Sequence, residues 1–131
     1  MNRLEKWVLQ EMMEHLEDLE GQVVYGCDLA FTLFENENIN GSYTCNAYAS
    51  RQWIKRYWDE LCGIIEDYEV DYGELPVNPF VNAEAFQVQI ILHMASRLVG
   101  ESDYIEEHWD NDIELTADVI KTIVSEWSEC L

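Results

Sequence analysis

Pro79-Phe80-Val81-Asn82-Ala83-Glu84-Ala85-Phe86-Gln87-Val88-Gln89-Ile90-Ile91-Leu92-His93-Met94-Ala95-Ser96-Arg97-Leu98-Val99-Gly100 is the stretch on which the fold turns. Asn82 is a good N-cap, since its side chain can accept from an unpaired amide of the first turn. Glu84 places a carboxylate where the helix dipole favours one. Gly100 stands where a left-handed residue would stop the helix. Between these signals apolar residues cover most of the circumference, leaving Gln89, His93, Ser96 and Arg97 as a narrow polar stripe. A helix apolar nearly all round is buried, so the remaining elements are expected to wrap it. It is too short and too often interrupted by polar groups to span a bilayer.

The segments on either side supply those elements. Residues 3 to 19 put Leu4, Val8, Met12, Leu16 and Leu19 on one helical face, with Gly21 as the stop. Asp28 can cap a short helix over Leu29 to Glu35. Asn36 to Gly41 reads as a turn by its Asn and Gly content, and Ser42 to Tyr48 as an extended piece or coil. Ser50 is placed to cap a long helix from Arg51 to Tyr72, in which Ile54, Tyr57, Trp58, Leu61, Ile65, Tyr68 and Tyr72 recur at three- and four-residue steps. Gly73 to Pro79 is a linker. Ser102 can cap a short helix through Trp109, and Asp110-Asn111-Asp112 opens a last one with Ile113, Val119, Ile120, Ile123, Val124 and Trp127 inward. The expectation is an all-α, single-domain bundle over residues 1 to 131, with five or six helices around a buried central helix at about 82–99. A chain of 131 residues and this apolar content can bury about two-thirds of its unfolded surface.

The unusual property is charge. Asp and Glu number 27 against 7 Lys and Arg, for a formal net charge of −20. Such a chain repels polyanions, which disfavours DNA, RNA and anionic membranes as direct partners and favours basic surfaces. Lys and Arg are absent from residues 7 to 50, 57 to 96 and 98 to 120, while acids fill Glu11 to Glu20, Asp59 to Glu74 and Glu101 to Asp118. Carboxylates three or four apart on a helix lie about 5–6 Å from one another and repel. Mixing Lys into these faces would stabilise them, and the chain forgoes it. A row of carboxylates on a rigid helix imitates duplex DNA, which presents a phosphate every ~3.4 Å along each strand. The candidate partner-binding residues are therefore Asp59, Glu60, Glu66, Asp67, Glu69 and Asp71 with Tyr72 in one tract. In the other they are Glu101, Asp103, Glu106, Glu107, Asp110 and Asp112 with Trp109. The bland alternative is a solvated acidic coat with its aromatics in the core. The one basic cluster, Arg51, Lys55 and Arg56, is expected to pair with Asp59 and Glu60.

No catalytic or metal motif emerges. Asp110-Asn111-Asp112-Ile113-Glu114 begins like a calcium loop, but the sixth position is Leu115 instead of Gly and the twelfth is Lys121 instead of Glu. None of His15, His93 or His108 has a Glu three residues before it, as a di-iron bundle requires. Cys27, Cys45, Cys62 and Cys130 form no Cys-x-x-Cys pair, and the first residues resemble no signal peptide. The expectation is a cytoplasmic protein with reduced thiols, no cofactor and no metal, acting as a non-enzymatic inhibitor of a basic, nucleic-acid-binding protein. Two alternatives stay open: an assembly module working through an apolar dimer interface, and an enzyme with a carboxylate metal site.

Tyr25-Gly26-Cys27-Asp28-Leu29-Ala30, Asn78-Pro79-Phe80 with Glu84-Ala85-Phe86, and Ile113-Glu114-Leu115-Thr116 resemble stretches in small acidic proteins of bacterial phages and plasmids. The resemblance covers most of the chain and carries no catalytic residues with it. It implies a context in which small acidic proteins inhibit host defence, as anti-CRISPR and anti-restriction DNA mimics do.

Overall fold

The computed structural model describes residues 1–35, 47–75 and 77–131. Among them the chain is mainly α-helical, with seven α-helices and one two-stranded sheet. In order these are α1 (Arg3–Leu16), β1 (Val23–Tyr25), α2 (Leu29–Glu35), α3 (Ala47–Arg56), α4 (Trp58–Tyr72), α5 (Ala83–Leu98), α6 (Asp103–Glu107), β2 (Asp112–Glu114) and α7 (Ala117–Ser128). No helix of the described residues is long and apolar enough to cross a membrane.

Helix α5 is the centre, as its composition requires. Asn82 caps it by accepting from the Ala85 amide, and Ala83, Phe86, Gln87, Ile90, Ile91, Met94, Ala95 and Leu98 are buried. It packs against α1, α2 and α3. Of the expected polar stripe, Ser96 and Arg97 reach solvent while Gln89 and His93 are half-buried. Its C-terminal signal works differently from expectation. Val99 keeps helical dihedrals, and Gly100 lies inside a 3-10 turn over Val99–Glu101 without a positive φ. The left-handed glycines are Gly21, at φ +88° after the 3-10 turn Glu17–Leu19 that follows α1, and Gly73, at φ +84° at the end of α4.

The long helix expected from Arg51 to Tyr72 is two helices. Tyr57 leaves helical geometry (φ −109°, ψ 20°) at the junction of α3 and α4. It is buried there, its ring centre 5.7 Å from that of Trp53 and 6.3 Å from that of Trp7. Tyr57 thus closes a cluster of three rings at the bend, a tertiary contact that the unbroken helical repeat of the sequence does not show. Ser50 is no cap. It lies within α3, fully buried, and its hydroxyl donates to Gln87 Oε1 of α5 at 2.8 Å. The expected turn at Asn36–Gly41, most of the stretch at Ser42–Tyr48 and Pro76 of the linker fall outside the described residues.

The sheet corrects a second expectation. Asp112 to Glu114 does not open the last helix; it pairs antiparallel with β1, Val23 opposite Glu114, Val24 opposite Ile113 and Tyr25 opposite Asp112. Only Val24 and Ile113 face inward. The last helix begins after Thr116, whose hydroxyl accepts from the Val119 amide. At the end of β1 the chain passes so close to the α6–β2 connection that a Cβ on Gly26 would stand 2.2 Å from the His108 carbonyl oxygen.

Candidate interaction surface

Helix α4 buries Leu61 and Ile64 and leaves Asp59, Glu66, Asp67, Glu69, Val70, Asp71 and Tyr72 exposed. Its inward face is set by the apolar positions one turn apart, so the carboxylates between them have only solvent to face. Glu66 and Asp67 meet residues from two other parts of the chain. A groove of about 470 Å³ is lined by Glu5 of α1, by Glu60, Glu66 and Asp67 of α4, and by Glu101 beyond α5, with Ile64, Met94 and Leu98 on its floor and Arg97 at its edge. Arg97 and Glu101 also line an adjoining hollow with Glu106 and Trp109. Shared residues thus join the two depressions. Members of both acidic tracts, Glu60, Glu66 and Asp67 from the first and Glu101, Glu106 and Trp109 from the second, are brought together there.

Not every candidate carboxylate is available. Glu60 is held by Arg3 through Nε at 2.8 Å and Nη2 at 3.3 Å, and the same guanidinium donates to the Arg56 carbonyl at 3.0 Å. The Arg3 hydrogen bond and charge hold the Glu60 carboxyl below the usual range. This pairing also overturns the expectation for the basic cluster: Glu60 takes Arg3, and among the described residues no ion pair joins Arg51, Lys55 or Arg56 to Asp59 or Glu60. Trp109 is half-buried and packs against the core with only part of its surface toward the hollow.

The remaining candidates lie elsewhere. Asp59, Glu69 and Asp71 are exposed on α4 outside the groove lining, as are Asp103 and Glu107 on α6. Asp110 and Asp112 crowd Tyr25 and Cys27. Desolvation first, and then neighbouring charges led by Asp110, push the Tyr25 hydroxyl up, while the Cys27 thiol is raised by desolvation and then by Asp28 and Asp110. Cys130 is raised by desolvation and then by Glu101. Thiols held protonated by neighbouring acids are poor nucleophiles. Tyr72 packs its ring 5.0 Å from Tyr68 and 5.7 Å from His93, and desolvation holds the His93 imidazole below its usual value. Among the described residues no group of three or more His, Cys, Asp and Glu side chains converges as a metal site would.

Sequence reasoning passed over Glu5 and Arg97. Glu5 exchanges hydrogen bonds with Asn2 in a capping box at the start of α1. Nothing local shows that the same position opens on the groove. Glu126 was also invisible: its carboxylate accepts from Ser102 Oγ and from the amides of Asp103 and Tyr104, capping α6 from across the bundle.

Comparison of the chain with protein families, with curated proteins and with solved structures finds no match in any of the three.

Proposed function

We propose that this chain is a non-enzymatic inhibitor that seats its acidic groove against the cationic, nucleic-acid-binding surface of a host-defence protein, in the manner of DNA-mimic and anti-CRISPR proteins. The observation that carries this reading is convergence. Glu5, Glu66, Asp67 and Glu101 come from three separate parts of the chain and line one depression together with Arg97, which among the described residues forms no ion pair. Bringing like charges together costs free energy in the isolated protein, and a basic partner returns it on binding. The floor of Ile64, Met94 and Leu98 gives the groove apolar area to exclude water around the ion pairs. The free thiols of Cys27, Cys62 and Cys130 suit a reducing cytoplasm, where such a partner works.

The test is displacement of labelled DNA from purified restriction and CRISPR effector complexes. The intact chain is expected to compete with one of them at low salt and to lose competition as salt rises. The triple substitution Glu66→Lys, Asp67→Lys and Glu101→Lys should weaken that competition by at least about tenfold, on the order of 1.4 kcal/mol. All three side chains are exposed, so circular dichroism should be unchanged. A chain that displaces DNA from none of these complexes, or a triple variant that competes as well as the parent, sinks the reading.

A further inference from the structure

A second surface has the opposite polarity. Arg51, Lys55 and Arg56 are three of the seven Lys and Arg residues of the chain, all exposed and all on α3, the last two in its final turn. Arg51 and Lys55 flank a groove of about 450 Å³ whose walls are Ile54, Trp58, Pro79 and Phe80. Phe80 is 81% exposed yet held in place: its amide donates to Asn78 Oδ1 at 2.8 Å, and the Val81 and Asn82 amides donate to the Asn78 carbonyl. Its ring centre lies 5.7 Å from that of Trp58. A fixed aromatic pair rimmed by exposed cations has the composition of an interface centre, where aromatics and Arg dominate binding.

We infer that this groove receives the acidic end of α4 from a second copy of the chain, so that the protein associates head to tail. The two ends of one helix carry complementary features. Trp58 begins α4 and forms the groove wall; Val70, 84% exposed, stands near its other end. On a helix, Glu66 and Asp67 precede Val70 by a turn and share its face, which makes an apolar knob set among carboxylates. The two features are separated by 12 residues, or about 18 Å of helix. A molecule therefore cannot fill its own groove, and contact between unlike patches is heterologous. The net charge of −20 opposes approach at long range, but the Debye length falls to about 8 Å at physiological ionic strength, and contacting pairs are screened less.

Sedimentation velocity over about 10 μM to about 1 mM protein, at physiological ionic strength, tests the inference. The intact chain should rise above its 15.4 kDa monomer mass with concentration. A groove variant, Arg51→Glu with Lys55→Glu, and a knob variant, Glu66→Gln, Asp67→Gln and Val70→Ser, should each remain monomeric. Mixed in equal amounts they should form a dimer and nothing larger, since one intact groove meets one intact knob. All five side chains are exposed, and unchanged circular dichroism and thermal midpoint would show the fold retained. Three results would overturn the inference: a constant monomer mass for the intact chain, variants that still associate singly, or a mixture that stays monomeric. Binding of the monomeric chain to phosphatidylserine vesicles, lost in the groove variant, would also overturn it by assigning the groove to an anionic lipid surface.

Discussion

The buried pair Ser50 and Gln87 shows how a polar residue can be misread when only its neighbours in sequence are known. Ser50 precedes an amphipathic run, which is the position of a cap, yet it is fully buried inside α3 and bonded to Gln87, itself fully buried in α5. Removing one partner of a buried hydrogen bond leaves the other desolvated, at a cost of about 1–3 kcal/mol, whereas removing both is far milder. Ser50→Ala should therefore destabilise the protein by about that amount in urea unfolding. Ser50→Ala with Gln87→Leu should recover part of the loss. If the double variant is as unstable as the sum of the two single ones, the pair is not coupled. The same distinction applies to the carboxylates. Glu60 and Glu126 look like their exposed neighbours in the sequence, but the first is tied to Arg3 and the second caps α6.

At the scale of elements, helices with strong periodicity were legible and short pieces were not. The caps Asn82 and Ser102 and the apolar steps of α1 and α5 carry their own signals within a few residues, whereas Asp110-Asn111-Asp112 masked the true cap of the last helix, Thr116. β1 and β2 have three residues each and one inward side chain each, too few for alternation to register against the helix-forming residues beside them. Their pairing is fixed by partners 89 residues away, Val24 with Ile113. Gly26 secures that pairing, because its amide donates to the Asn111 carbonyl and the Cys27 amide to that of Trp109. Any side chain at position 26 would enter the His108 backbone, and backbone cannot swing aside as a flexible side chain can. Gly26→Ala is expected to cost about 1–3 kcal/mol by thermal unfolding, whereas Gly63→Ala, with open space around its Cβ, should be neutral or mildly stabilising. Equal effects at the two positions would show that the close approach is not what matters.

For the molecule as a whole, the central helix and the surplus of charge could be read from residues, but not the distribution of that charge over the surface. Convergence of Glu66 with Glu101 depends on α4 and the turn after α5 lining one groove, and no spacing within either tract encodes it. The closing of the core depends on sequence-distant parts in the same way. Trp127, four residues from the end, is fully buried, and its indole donates to the Val99 carbonyl at 3.3 Å. Ile120 and Ile123 of the same helix are buried with it. A chain ending at Leu115 should bind a hydrophobic dye and lose cooperative unfolding, and a sharp transition in that fragment would show the rest to be self-sufficient. The position of that indole has a consequence for how the protein comes into being. Synthesis must pass Trp127 before the last wall of the interior exists. A ribosome halted short of that residue thus holds an open, sticky polypeptide and no partially competent product.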